Sequence, residues 1–230
     1  MVWTANILTL YPEMFPGSLQ HSLSGKALKE DIWNLRVHNI REYGLGNHNN
    51  VDEKPAGGGP GMVLRADVLD KAITDCFDDK NQIIYFSPKG KQLTQDVVKK
   101  FSLNEGVSIL CGHFEGVDQR IIEKYDMKEI SVGDYILSGG EVAALTFLDS
   151  VVRLLPNVIG NNESTVIESF TEGLLEYPQY TKPNVFNNAE IPEILLSGNH
   201  RAIEEWRKNK SVDLTKKRRP DLLLKKKDKI

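Results

Sequence analysis

A glycine pair precedes an apolar segment in Gly133–Glu141, which reads GDYILSGGE. Adjacent glycines that open a helix are typical of phosphate-binding loops, where backbone N–H groups hold the phosphate oxygens. Such a loop also carries a lysine and a hydroxyl residue directly after its glycines, and this stretch has neither there. A phosphotransferase is therefore disfavoured, and the residues before the glycines are bulky and apolar.

Two other segments combine glycine with polar residues, namely Tyr85–Gly90 (YFSPKG) and Cys111–Arg120 (CGHFEGVDQR). These segments and Ile130–Glu141 each follow a strand-like stretch, and α/β sheets bind ligands beyond the carboxyl ends of their strands. One such loop is a weak indication because any tight turn uses glycine, but three together predict a shared pocket. The run Gly57–Gly61 (GGGPG) is either a mobile turn or a substrate-contacting loop.

The segment after the glycine pair, EVAALTFLDSVVRLL, has the composition of a mostly buried helix. Its polar residues Thr146, Asp149, Ser150 and Arg153 fall within about 100° of one another on a helical wheel. Arg153 on this narrow stripe is either a functional cation or the partner of Asp149 in an i,i+4 ion pair. Both interpretations stay open at this point.

The elements that must position these residues alternate between strand and helix. Strands are predicted over Trp3–Leu10, Ile32–Ile40, Gln82–Phe86 and Val107–Cys111, and helices over Met14–Ser24, Ala66–Phe77 and Thr94–Phe101. This pattern predicts an α/β fold with a mostly parallel sheet. A final segment after Pro192 predicts two or more helices.

The net charge of −3 is unevenly distributed. Residues 199–230 hold 12 Lys/Arg against 5 Asp/Glu, whereas the other 198 residues hold 17 against 27. A basic end on an acidic body predicts a polyanionic partner, although a solvated tail would have the same composition. Cys76 and Cys111 lie in apolar contexts without metal-type spacing, and no signal peptide or membrane span is recognisable, so we expect a cytoplasmic protein.

Seven blocks, in matching order and spacing, resemble the bacterial tRNA (guanine-N1)-methyltransferases of the TrmD type, which belong to the SPOUT class. The resemblance covers essentially the whole chain. The blocks are KPAGGGPGM, YFSPKG, CGHFEGVDQR, GDYILSGGE, the helix that reaches Arg153, ESFTEGLLEYPQYTKP, and SGNHRAIEEWR with RRPDLL. The third block departs from the family's usual CGRYEG at His113 and Phe114.

This resemblance implies a SPOUT domain over residues 1–160, with a deep trefoil knot at about 85–140. It further implies a flexible linker over 161–176 and a small helical tRNA-binding domain over 177–230. The implied cofactor is S-adenosyl-L-methionine, whose adenosine would meet apolar walls and closely approaching glycine backbone. The implied cofactor-binding residues are Tyr85, Ser87, Pro88, Gly112, Glu115, Val132, Gly133, Tyr135, Leu137, Gly139 and Gly140.

The implied reaction is methylation of N1 of the guanosine at tRNA position 37, next to the anticodon. A carboxylate must remove the N1 proton, and a cation must stabilise the charge that grows on O6. The family's base is an aspartate, and Glu168 stands at that position, with Glu176 as the reserve candidate. Arg153 matches the catalytic arginine, and Glu115 is either a carboxylate near the sulfonium or a loop cap.

The family is homodimeric, with active sites at the subunit interface, and it uses magnesium, for which no ligands can be named here. The implied tRNA-binding residues are Glu176, Arg207, Lys210, Lys216, Lys217, Arg218 and Arg219. Their cationic members would contact phosphates. A catalytically inactive SPOUT-type RNA-binding protein is the alternative that Glu168, in place of aspartate, keeps open.

Overall fold

The computed structural model describes residues 2–78, 80–160, 168–170 and 173–225. The chain divides into two compact units, Met1–Gly160 and Asn161–Ile230. Much of the predicted linker, namely 161–167 and 171–172, lies outside the described residues, as does 226–230 of the basic end. Throughout the described ranges, no helix is long and apolar enough to cross a membrane.

The first unit contains both strands and helices. Its strands are β1 (Trp3–Thr9), β2 (Trp33–Asn39), β3 (Asp52–Glu53), β4 (Val63–Leu64), β5 (Ile83–Gln92), β6 (Gly106–Leu110) and β7 (Lys128–Ser131). Its α-helices are α1 (Ser22–Lys29), α2 (Ala66–Cys76), α3 (Gln95–Ser102), α4 (Gln119–Lys124) and α5 (Glu141–Val152). A five-stranded sheet has the order β2-β1-β6-β5-β7, and every pairing in it is parallel. The predicted α/β class with a mostly parallel sheet is confirmed.

Both faces of this sheet are apolar, as expected for parallel strands that helices cover on both sides. On β1, Ala5 and Ile7 belong to one buried cluster, with residues of α3 and α5. Leu8 belongs to the other cluster, with residues of α2 and α4. The sheet is therefore a rigid platform whose carboxyl edge can hold loops in fixed positions.

The predicted helix over Met14–Ser24 is wrong. The chain forms 3-10 turns at Pro12–Met14 and Gly17–Gln20, and α1 begins only at Ser22. Phe15 is extended, because the ring of a following proline disfavours helical backbone. Gly17 then has a positive φ of 53°, which ends any continuation of helical geometry.

The predicted end of a strand at Phe86 is also wrong, because β5 continues to Gln92. Its pairing with β7 shifts register between Phe86 and Lys91, so Ser87–Gly90 stands out of the ladder. Proline has no backbone N–H to donate, and such a bulge tolerates it inside a strand. The irregularity directs Ser87 and Pro88 away from the ladder and toward the pocket described below.

The second unit contains β8 (Val185–Phe186), β9 (Ala189–Glu190), α6 (Glu193–Leu196), α7 (His200–Arg218) and α8 (Pro220–Lys225). Asn187 and Asn188 both have positive φ and form the tight turn of the β8–β9 hairpin. Asn199 caps α7 by accepting a hydrogen bond from Ala202 N–H at 3.2 Å. Thr215 is fully buried and accepts a hydrogen bond from Leu175 N–H at 2.8 Å, which fixes that segment to α7.

Candidate active site

A pocket of about 410 Å³ lies at the carboxyl ends of β6 and β7 and beside the irregular Ser87–Gly90 part of β5, where the three glycine-containing segments meet. Its volume is within the range of small-molecule sites. All eleven residues expected to bind the cofactor line it, namely Tyr85, Ser87, Pro88, Gly112, Glu115, Val132, Gly133, Tyr135, Leu137, Gly139 and Gly140. The structure therefore brings the whole predicted set together, while their role in binding stays a prediction.

Tyr85 forms the inner wall of this pocket and is almost fully buried. A Cβ atom on Gly112 would lie 2.6 Å from its ring, and one on Gly116 would lie 2.9 Å from its hydroxyl oxygen. Burial raises the pKa of the Tyr85 hydroxyl, and the Glu129 carboxylate adds to the rise, so this group is neutral at physiological pH. The glycines are required because a side chain would displace this ring.

The floor of the pocket is the glycine pair that precedes α5. Gly140 N–H donates to Gly112 O at 2.9 Å, which joins the loop after β6 to the start of the helix. A Cβ on Gly140 would lie 2.9 Å from Cys111 Cα, so backbone occupies the space that a side chain would need. Cys111 is buried, which raises the pKa of its thiol well above the usual value, with the Glu141 carboxylate adding to the rise. The thiol is therefore protonated and is not a nucleophile.

Glu141 and His113 are site residues that sequence reasoning did not identify as partners. Glu141 Oε1 accepts from Thr9 Oγ1 at 2.6 Å, and His113 Nε2 lies 2.7 Å from Glu141 Oε2. Glu141 is 1% exposed, an unusual state for a carboxylate. The available signal was a glutamate at the first position of an otherwise apolar helix.

The GGGPG loop adjoins the pocket through Glu115. Glu115 N–H donates to Met62 O at 2.9 Å, and the Glu115 side chain fills the space that a Cβ on Gly61 would occupy. Gly57, Gly58 and Gly59 have positive φ and open space around them. This position beside the pocket favours the substrate-contacting interpretation of the loop.

Arg153 is the C-cap residue of α5 and is half-buried, outside the residues that line the pocket. Along the polar stripe of the helix, Thr146 and Ser150 donate to the carbonyls of Val142 and Thr146. Asp149 accepts from Ser24 Oγ at 3.1 Å, which attaches the stripe to α1. The helix thus holds the Arg153 backbone on a well-anchored element.

Glu168 and Glu176 lie in the second unit, and Glu168 is half-buried. Glu176 N–H donates a hydrogen bond to Ser169 Oγ at 3.0 Å. Because Ser169 directly follows Glu168, this bond connects the segments that carry the two candidate carboxylates. The Glu176 carboxylate accepts from Gln179 Nε2 at 2.5 Å. Arg153 belongs to the first unit.

The expected tRNA-binding cations differ in their surroundings. The Arg207 guanidinium is half-buried and lies 4.9 Å from the centre of the Tyr177 ring, and Lys210 Nζ lies 5.8 Å from that of Trp206. Arg219 forms a bidentate ion pair with Asp221. Lys216, Lys217 and Arg218 are exposed in the last turn of α7, where cations also favour the helix dipole. Their exposed positive charge is accessible to a polyanion.

Trp206 contacts Tyr180 in an edge-on arrangement, with the ring centres 6.2 Å apart. This contact is typical of an aromatic that anchors a helix.

Across the residues that the structure describes, no group of three or more His, Cys, Asp or Glu is arranged to hold a metal ion.

A parallel α/β unit with a pocket at the carboxyl edge of its sheet is typical of α/β proteins that bind a ligand there. Comparison with known families is more specific. The model of the family "tRNA (Guanine-1)-methyltransferase TrmD" matches residues 3–225, and the chain belongs to this family. The resemblance found in the sequence is confirmed.

Curated relatives are similar along nearly their whole length, and each is named tRNA (guanine-N(1)-)-methyltransferase. The protein of Gluconobacter oxydans is 52% identical over 223 residues, which cover 96% of this chain and 95% of the relative. That of Bartonella henselae is 53% identical over 222 residues, with 96% and 95% covered. That of Agrobacterium fabrum is 54% identical over 224 residues, with 97% of each covered.

Proposed function

We propose that this chain transfers the methyl group of S-adenosyl-L-methionine to N1 of guanosine 37 in tRNA. The observation that carries the proposal is one cavity lined by all eleven expected cofactor residues, in a chain of the TrmD family. The names of the relatives favour an active enzyme over the alternative of an inactive RNA-binding protein. A tRNA substrate would place the reaction in the cytoplasm.

The pocket has the chemistry that an adenosine-containing cofactor without phosphates requires. The exposed apolar side chains of Tyr135, Ile136 and Leu137 supply walls for a flat base, and Gly139 and Gly140 let the backbone come close. Glu115 at the rim would favour the positive sulfonium. When bound, the cofactor supplies an electrophilic methyl group.

The chain's own residues must remove one proton and stabilise one developing charge. We assign Glu168 as the base that takes the N1 proton, because an N1 that keeps its proton is a poor nucleophile. The reference pKa values of Glu and Asp, about 4.3 and 3.9, differ little, so glutamate suits the role of the family's aspartate. Glu176 is the reserve candidate, and Arg153 would stabilise negative charge on O6.

The proposed architecture is that of the SPOUT class, with a deep trefoil knot over about 85–140 that includes the three pocket loops. We also propose a homodimer with active sites at the interface. Phe114, Tyr135, Ile136 and Val142 are exposed large apolar residues in or next to the pocket loops, and Ile136 is 81% exposed. Apolar surface of this kind is typical of a face that a partner covers.

The second unit would bind the tRNA. Lys216, Lys217 and Arg218 offer exposed positive charge for phosphates, with Arg207, Lys210 and Arg219 beside aromatic rings. The target guanine would leave its stack to reach the pocket, as enzymes that modify bases require. Magnesium belongs to the proposal as a family property, and no step is assigned to it.

A comparison of variants tests the catalytic assignment. We expect Glu168→Gln and Arg153→Ala each to lower kcat for methyl transfer by at least about 100-fold, the scale of general-base and charge stabilisation. Calorimetry should show S-adenosyl-L-methionine bound as tightly as by the wild type. Glu30→Gln, on the exposed end of α1, is the control that should retain activity. Full activity in Glu168→Gln would remove it as the base and promote Glu176.

A further inference from the structure

A carboxylate is buried directly beneath the floor of the pocket. Glu141 is the first residue of α5, Thr9 ends β1, and His113 lies in the loop after β6. A carboxylate can only accept hydrogen bonds, so the Thr9 hydroxyl and the Nε2–H of His113 both donate to it. Three separate elements are thus joined at one side chain.

A gain in folding stability does not explain why a carboxylate is buried here. Removing a carboxylate from water is costly, and a buried ion pair or hydrogen-bonded charge is often no better than apolar residues of the same volume. The rest of α5 faces the core with residues such as Ala144, Phe147 and Leu148, which shows that this helix packs by apolar contact elsewhere. The Glu141 carboxylate at the start of the helix, whose hydrogen bonds are directional, therefore indicates that the position of the surrounding loops must be fixed.

The geometry that it fixes is that of the pocket floor. His113 and Gly139 form an isolated antiparallel bridge, and Gly140 N–H donates to Gly112 O. A Cβ on Gly139 would collide with the His113 imidazole and the Glu141 carboxylate. The Tyr11 ring also contacts the imidazole, with ring centres 4.9 Å apart.

We propose that His113 is a positioning residue for the cofactor. By donating to Glu141, it holds the loop after β6 against the Gly139–Gly140 floor, and the affinity for S-adenosyl-L-methionine depends on that link. The inference rests on the proposed function, since it assigns a role within the same pocket. His113 lines the pocket but is not one of the eleven residues assigned to bind the cofactor, and Glu141 does not line the pocket at all.

The test measures cofactor affinity by calorimetry in the full-length protein. The wild type must bind S-adenosyl-L-methionine; if it does not, the proposed function fails and the inference fails with it, before any variant is compared. In His113→Ala the carboxylate loses one donor, and we expect affinity to fall about tenfold or more, the scale of coupling between contacting residues. His113→Gln can place an amide N–H near the same position, so it should recover most of the affinity.

A second variant keeps the inference testable if His113→Ala does not fold. Glu141→Gln keeps the volume but removes the negative charge and one acceptor oxygen, so the charge-assisted hydrogen bond to His113 is replaced by a weaker neutral one. It should also weaken cofactor binding about tenfold. His48→Ala, at an exposed histidine of the same unit, is the matched control and should bind as the wild type does.

Two readouts separate positioning from a general structural role. We expect KM for tRNA to change less than twofold in His113→Gln and Glu141→Gln, while the cofactor Kd changes as stated. A His113→Gln protein that binds as weakly as His113→Ala would overturn the inference, because the hydrogen bond would then be irrelevant. Wild-type cofactor affinity in Glu141→Gln, with only its melting temperature lowered, would overturn it as well.

Discussion

The two glycines of the pocket floor are needed for space rather than for unusual backbone angles. Gly140 has φ −78° and ψ −13°, which any residue can adopt, yet a Cβ there would lie 2.9 Å from Cys111 Cα. Gly160 offers a contrast, because nothing lies within 4 Å of the corresponding position. At the residue scale, the site therefore depends on how closely two backbone segments approach.

Gly140→Ala should consequently separate the loop after β6 from α5. We expect a loss of about 1–3 kcal/mol in the free energy of unfolding, as overpacking costs, together with weaker binding of S-adenosyl-L-methionine. Gly160→Ala should stay within about 0.5 kcal/mol of the wild type. Urea denaturation and calorimetry measure the two effects. Wild-type values for both in Gly140→Ala would show that the close contact is not needed.

At the element scale, α5 links the core to the site. Phe147 is fully buried on this helix, and its ring contacts those of Phe101 and Phe86, with centres 5.2 and 5.8 Å apart. Phe86 lies on β5 and also lines the pocket. The same aromatic cluster therefore supports both the helix that begins at the pocket floor and the strand that forms its wall.

Phe147→Ala should destabilise the first unit strongly, because it leaves a cavity among these rings. The expected loss is about 3–5 kcal/mol in the free energy of unfolding. Leu103→Ala removes an apolar side chain that is 86% exposed, and we expect a change within about 0.5 kcal/mol. Equal denaturant midpoints for the two variants would contradict the position of Phe147 in the core.

Elements were predictable where local chemistry decides them. Thr94 caps α3 by accepting from Val97 N–H, and the apolar run VSILC forms β6, both as the sequence predicts. Met14–Ser24 failed because the conformations of Phe15 and Gly17 outweighed its apolar spacing. The register shift in β5 follows from pairing with β7, which no local pattern displays.

The residues that line the candidate site were predictable from the sequence, but the hydrogen bonds beneath its floor were not. Two of its three pocket segments follow β6 and β7, and parallel topology brings the exits of such strands together. The bond between Thr9 and Glu141 joins residues 132 positions apart, and that between His113 and Glu141 spans 28. No periodicity reports such pairs, so the buried carboxylate required the structure.

At the scale of the whole molecule, net positive charge is concentrated in residues 199–230, whereas the rest of the chain is net negative. The exposed cations at the end of α7 should contribute to tRNA binding through release of counterions from phosphates. Lys217→Ala with Arg218→Ala should weaken tRNA binding and lower the slope of log affinity against log salt by about 1.4–1.8. Filter binding across a salt series measures both quantities.

The matched control for this pair is Lys26→Ala with Lys29→Ala, which removes two exposed lysines from the last turn of α1. It carries the same change in net charge, and we expect the wild-type salt slope. An unchanged slope in the α7 variant, or an equal loss in both variants, would contradict a specific tRNA-binding role for the end of α7.

The central claim is the reaction itself, and one assay of the wild-type protein tests it most directly. Unmodified tRNA transcripts with guanosine or adenosine at position 37 are incubated with S-adenosyl-L-methionine carrying a labelled methyl group, and the product nucleosides are separated. We predict label in N1-methylguanosine from the guanosine transcript and none from the adenosine transcript. Label in neither transcript, or at another atom of the guanine, would contradict the account.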